Sequence, residues 1–166
     1  TKARSGFSFL VNGDFITNAE RTQILENDWN NFIFKQLAIC KIKWISELVE
    51  NTKFKYEFTK LIKTHYTPVG SSELKQSYND GLDVAIAKTP FIPKQDKAGL
   101  LKVNESILDN TGYCEEFNPS IVTNHYNNNY EVAACKIIYP NRLSALGAKK
   151  IEIKDKSRWF KRWYDT

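Results

Sequence analysis

The chain has 166 residues, enough for one ordinary domain or two small lobes, and its 42% hydrophobic, 13% aromatic and 26% charged residues can bury a real core, which argues against disorder outside a few polar loops. A net charge of +5 permits contact with nucleic acid without requiring it. Cys40, Cys114 and Cys135 are too few and too scattered for a disulfide framework or a zinc site, and no apolar run is long enough to span a membrane.

The chain contains no methionine and opens Thr1-Lys2-Ala3-Arg4, without the apolar core of a signal peptide. It therefore reads as a piece cut from a longer protein, or as a processed product. The cysteine usage favours a reducing cytoplasm, with Cys40 read as a small buried hydrophobe inside a helix.

Phe7-Ser8-Phe9-Leu10-Val11 predicts a leading strand that ends at the turn-forming Asn12-Gly13-Asp14. Phe15-Ile16 resumes briefly. Thr17 stands three residues before Glu20, the spacing of a capping box, and predicts a short helix carrying Arg21. Asn27 or Asp28 caps a long helix. Trp29, Phe32, Ile33, Leu37, Cys40, Trp44 and Leu48 recur at three- and four-residue steps and predict its apolar stripe, widened by Phe34, Ile42 and Ile45.

Phe54, Phe58, Leu61 and Ile62 predict a shorter helix that stops before Thr67-Pro68-Val69-Gly70. Ser71 or Ser72 opens a third, with Leu74, Tyr78, Leu82, Ala85 and Ile86 on one face, and Thr89-Pro90 ends it. Phe91-Ile92-Pro93 and Leu100-Leu101-Lys102-Val103 predict a small hairpin, with Pro90 and Pro93 marking a sheet edge. Asp109 to Gly112 reads as a loop, and Asn118-Pro119-Ser120 as the start of a short helix through Tyr126. Pro140 to Leu146 reads as one or two helical turns stopped by Gly147. Ile151 and Ile153 alternate with charges as in a strand, and Ser157 to Tyr164 reads as a last helix. The fold expected is α+β: a helical half with one leading strand over residues 1–89, then a small mixed subdomain over residues 90–166 with a hairpin and short helices.

Few residues carry a chemical signature. His65 and His125 lack a Ser or Cys at triad spacing, and the glycines do not cluster into a phosphate-binding loop. Asp80 and Glu115-Glu116 read as solvated carboxylates. No catalytic residue, metal site or cofactor is expected in this chain. At the C-terminal end Arg158-Trp159-Phe160-Lys161-Arg162-Trp163-Tyr164 interleaves cations with aromatics. Such a mixture can stack on bases and neutralise phosphates, although an amphipathic packing helix is the plainer reading. Arg21, just after an Asn-Gly-Asp turn, is a guanidinium placed to reach outward to a phosphate, against the plainer reading of an ordinary surface arginine.

The same residues carry a family resemblance. Phe7 to Thr17, then Arg21, then Trp29-Asn30 resembles the segment that follows the ATPase domain in sacsin-like proteins. Pro90-Phe91-Ile92-Pro93, Gly99-Leu100-Leu101-Lys102 and Leu108-Asp109 with Gly112 are similar to a second block of that family, and Leu143 with Leu146-Gly147 to a third. The resemblance implies a non-catalytic middle or coupling module in the cytoplasm. It would carry nucleotide state from an upstream GHKL-type domain, which holds ATP and Mg, to a partner or client surface. Residues 12–23 also resemble the middle-domain loop of the large cytosolic heat-shock chaperone of the same superfamily, in which an arginine reaches the ATP γ-phosphate. Arg21 takes that place, with Asn12, Asp14 and Asn18 shaping the turn, and Ala19-Glu20 standing where that loop has a serine. The alternative expectation is a binding module of a nucleic-acid-related or phage-defence protein, using Lys149, Lys150, Arg158, Lys161 and Arg162.

Overall fold

The computed structural model describes residues 11–51, 53–62, 72–95, 97–110, 112, 119–126 and 129–151. The leading strand expected at Phe7 to Val11 falls, but for Val11, outside them. So do His65, Cys114, Glu115-Glu116, Ile153 and the helix expected over Ser157 to Tyr164. The described chain is α+β and divides into two compact units. One comprises Thr1–Trp44 with Lys63–Thr89, the other Ile45–Ile62 with Pro90–Thr166.

Helix α1 (Asp28–Glu50) begins where Asn27 Oδ1 accepts the Asn30 N–H at 2.9 Å, which satisfies a backbone donor that the first helical turn leaves open. The helix stands as expected, but of the expected stripe it is the widening residues Phe34, Ile42 and Ile45 that are buried, not the positions marked by the tryptophans. Asn30, Phe34, Ala38, Ile42, Ile45 and Val49 are buried, while Trp29 (49% exposed), Phe32 (54%), Trp44 (49%) and Cys40 face outward. Ile33, Leu37 and Leu48 are half-buried. The true register runs one residue later than the stripe read from the tryptophans. One residue is about 100° on a 3.6-residue helix, so the shift exchanges one face for the next. Ala38 and Asn30 hid it, being too small and too polar to count as core. Cys40 is accordingly an exposed thiol, not a buried hydrophobe.

Helix α2 (Ser72–Lys88) buries Leu74, Tyr78, Leu82 and Ala85 on the expected face and ends before Thr89-Pro90. Each such burial contributes about 1.5–3 kcal/mol for the larger side chains. Gly81 is buried as well, and a Cβ there would run into the Lys35 main-chain carbonyl, so the glycine is what allows the α2 backbone so near α1.

In the other unit, the helix expected around Phe54 to Ile62 is instead a run of turns ending in a 3₁₀ turn, Phe58–Leu61. Its N–H groups bond three residues back, at Phe54→Asn51, Glu57→Phe54 and Lys60→Glu57. Phe58 is its anchor, buried edge-to-face on Phe91 at 6.0 Å. Strands β1 (Ile92–Pro93) and β2 (Leu100–Leu101) form the expected antiparallel hairpin, Ile92 opposite Leu101. Pro93, without an N–H, still offers its carbonyl, which accepts from Ala134 N–H at 2.9 Å.

Strands β3 (Ser106–Leu108), β4 (Glu131–Val132) and β5 (Lys149–Lys150) form a parallel sheet in the order β4-β3-β5. Helix α3 (Pro119–His125) connects β3 to β4 as a crossover, the connection that parallel neighbours need. Its Val122 packs with Ile107, Val132 and Ile151 in a core bordered by Tyr126, Tyr130 and Cys135. The central strand β3 is buried along its whole length, as a strand covered on both sides must be. Helix α4 (Asn141–Ala145) precedes β5. It closes with Gly147 at φ +106, whose N–H bonds the Ser144 carbonyl, while Ala148 N–H bonds Leu143. That pair of bonds is the left-handed glycine cap expected at this position.

Candidate functional site: the Arg21 loop

The short helix expected at Thr17–Glu20 does not form. Residues 16–25 make a small hairpin loop instead. Thr17 bridges Ile24 antiparallel, Leu25 N–H bonds Ile16 O at 3.0 Å, and Asn18 N–H bonds Gln23 O at 3.1 Å. Asn18 is the reason. Its Oδ1 accepts both the Thr22 and Gln23 N–H groups, at 2.9 and 3.1 Å, and its Nδ2 donates to Thr22 Oγ1 at 2.9 Å. A short amide that satisfies the backbone locally competes with the helical pattern, and here it wins over the Thr17/Glu20 capping spacing.

Arg21 lies at the tip. Its N–H closes a turn on Asn18 O at 2.9 Å, and its φ of +56 places it in the left-handed region. A non-glycine residue there costs about 1–2 kcal/mol, so the turn holds it against a local preference. The side chain is exposed, and among the described residues it makes no ion pair or hydrogen bond. The guanidinium is thus displayed, not buried against its own core.

The flanking positions assemble around this loop. Asn12 and Asp14 are exposed at the approach, where Phe15 N–H turns back onto Gly13 O at 3.0 Å. Trp29 Nε1 donates to Asp14 O at 2.7 Å, and its ring stacks on Phe32 at 6.1 Å. Asn30 is buried and bonds the neck of the loop three times: Oδ1 accepts from Ile16 N–H at 3.0 Å, and Nδ2 donates to Ile16 O and Leu25 O, both at 2.7 Å. Phe15 adds an edge-to-face contact with Phe34 at 5.9 Å. Asn18 and Asn30 are thus bonded to this loop, Trp29 to Asp14 at its approach, and Arg21 stands at its tip, while Asn12 is exposed nearby.

The basic alternative fares differently. Lys149 Nζ sits 4.0 Å from the Tyr126 ring centre and 4.8 Å from that of Tyr130, so two π-faces hold its charge. Lys150 is exposed, with Nζ donating to Asn141 Oδ1 at 3.2 Å. Arg158, Lys161 and Arg162 lie outside the described residues.

Sequence reasoning missed one cation. A single Arg142 guanidinium nitrogen donates to the carbonyls of Thr59, Lys60 and Ile62 at 2.8, 3.0 and 3.3 Å, closing the open end of the 3₁₀ turn. Nothing in the letters around Arg142 signals this, because its partners stand some eighty positions earlier. For Asn30 a signal existed: it is the one polar residue in the buried register of α1.

No cluster of three or more metal-binding side chains occurs among the described residues, and no helix among them is long and apolar enough to cross a membrane. No protein-family model, curated protein or solved structure matches this chain.

Proposed function

We propose that this chain is the coupling module of a larger chaperone-type ATPase of the sacsin-like class, working in the cytoplasm. An ATP-binding domain upstream in the same polypeptide holds ATP and Mg. This chain contributes no catalytic residue of its own and passes nucleotide state to a partner or client surface. Arg21 is its sensor. In a cleft from which water is excluded, a γ-phosphate attracts a positioned guanidinium, which stabilises the charge that develops on phosphoryl transfer. After hydrolysis that attraction is gone, and the loop is free to leave.

The observation that carries this reading is the display of Arg21. It is an exposed arginine at φ +56, at the tip of a loop whose side-chain bonds are all made elsewhere. A cation kept for packing has partners, and the Arg21 guanidinium has none among the described residues. The resemblance to sacsin-like and heat-shock-chaperone segments supplies the triphosphate as its target.

The test is ATP turnover by the full-length protein carrying Arg21→Ala. Turnover is expected to fall on the order of 10²-fold or more, with Arg21→Lys recovering part, because a lysine keeps the charge and loses the planar fork. Unchanged turnover in Arg21→Ala would end the proposal.

A further inference from the structure

We infer that Asn30 is a positioning residue for Arg21: its side chain fixes the sensor loop onto the first turn of α1 and so sets where the guanidinium stands. The inference rests on the coupling reading and deepens it, by naming the point at which the loop and the helix are joined.

Asn30 is 0% exposed, at the head of a buried register that continues Phe34, Ala38, Ile42, Ile45 and Val49. A carboxamide in that apolar company is unfavourable unless its polar atoms are bonded. Here they are: one bond to Oδ1 and two from Nδ2. The pattern is specific. With Ile16 the amide exchanges both an N–H and a carbonyl bond, as a neighbouring strand would. The second Nδ2 hydrogen goes to Leu25 O, and Leu25 N–H itself bonds Ile16 O at 3.0 Å. One side chain therefore grips both legs of the loop's neck. Asn18 braces the tip, and Asn30 braces the base.

Trp29 does different work. Its indole bonds Asp14 O, ahead of the neck, from an exposed position. Among the described residues only the Asn30 side chain bonds both legs, so a shift in the first turn of α1 moves Ile16 and Leu25 together and carries Arg21 with them. Catalytic geometry is sensitive to such shifts: a misplacement of about 1 Å costs on the order of 10²-fold in rate.

The experiment measures kcat and KM for ATP, together with amide hydrogen exchange over residues 16–25, in the full-length protein. The variants are Arg21→Ala, Asn30→Asp and the two combined. Asn30→Asp keeps the length of the side chain and an acceptor for Ile16 N–H, and offers at most one donor, on a protonated carboxyl, where the amide has two. It is expected to lower kcat on the order of 10-fold or more with little change in KM, and to speed exchange over 16–25. The double variant should turn over no more slowly than Arg21→Ala alone, because a positioning residue has nothing left to position. Independent structural damage would instead add to the Arg21 loss. Should Asn30→Asp fail to fold, Ile16→Pro removes the N–H on the loop side without touching α1, and the same losses are expected.

Three results overturn the inference. Wild-type kcat in Asn30→Asp beside a depressed Arg21→Ala would sink it and leave the coupling reading standing. An additive double variant would do the same. Unchanged turnover in Arg21→Ala would remove the coupling reading itself and this role for Asn30 with it.

Discussion

Arg142 follows a left-handed residue, Tyr139 at φ +56, and Arg21 is itself left-handed at φ +56. Both turns close in the same way, with Arg142 N–H on Tyr139 O at 3.1 Å and Arg21 N–H on Asn18 O at 2.9 Å. Beyond the backbone they part. Arg142 turns inward, bonding three carbonyls and lying 5.3 Å from the centre of the Tyr139 ring. Around it the Thr59 hydroxyl bonds Ile138 O, and Ile138 N–H bonds Tyr56 O at 3.0 Å. Arg21 has none of this. Its loop is braced by Asn18 and Asn30, and its guanidinium is left out. The two turns share an i to i+3 backbone bond and a left-handed residue, though at opposite ends, and side-chain partners tell a segment locked down from a cation held up. Lys149 belongs with Arg142, since two tyrosine rings hold its charge.

The largest effect expected from this contrast is at Arg142. Arg142→Ala removes the guanidinium bond from the carbonyls of Thr59, Lys60 and Ile62, of which Thr59 O keeps the Ile62 N–H, and frees the end of the 3₁₀ turn. Hydrogen bonds from charged donors contribute about 1.5–3 kcal/mol, and this donor is half-buried, so a loss of about 2 kcal/mol is expected. It is measured as a lower urea midpoint at unchanged slope. A loss within 0.5 kcal/mol, the usual range of an unremarkable surface change, would erase the distinction between the two arginines.

Lys149 sharpens the same comparison at smaller scale. Lys149→Gln removes the charge from between Tyr126 and Tyr130 and is expected to cost about 1 kcal/mol, midway between exposed and desolvated cation–π pairs. Lys149→Arg should retain most of it, because a guanidinium also stacks on aromatic faces. Equal losses in the two variants would show that packing of the stem, not charge over the rings, holds the position.

The limits of sequence reading follow the same physics. The two long helices, the hairpin and the glycine cap at Gly147 were legible because each rests on local chemistry: periodicity, the β-prone pieces flanking a polar turn, a left-handed stop. The parallel sheet was not. Ser106–Leu108 and Glu131–Val132 are too short to show alternation, and their pairing is decided by residues far off in the chain. The register of α1 was misread because tryptophans draw the eye and Ala38 does not, although Ala38 is fully buried and Trp44 half exposed. At the candidate site, the letters pointed to Arg21 and its turn residues but not to the geometry they take. The Thr17/Glu20 spacing indicated a helix start, but Asn18 satisfies the same backbone through a loop, and two local solutions of similar energy cannot be ranked from letters.

The smallest expected effect breaks the comparison most cleanly. Arg21 adopts a conformation that costs an L-residue about 1–2 kcal/mol and a glycine almost nothing. Arg21→Gly relieves that strain while adding the chain entropy of a glycine, about 0.5–1 kcal/mol in the other direction. Since no bond to the guanidinium is lost among the described residues, the net expectation is a gain of about 0.5 kcal/mol, read as a slightly higher urea midpoint. The corresponding change at Arg142 goes the opposite way. A residue whose removal stabilises the fold is not there for the fold, and under the proposed coupling role the full-length protein carrying Arg21→Gly should lose ATP turnover as Arg21→Ala does. If Arg21→Gly instead unfolds at clearly lower urea, the guanidinium is bracing its own unit, and the free cation on which the sensor role depends does not exist.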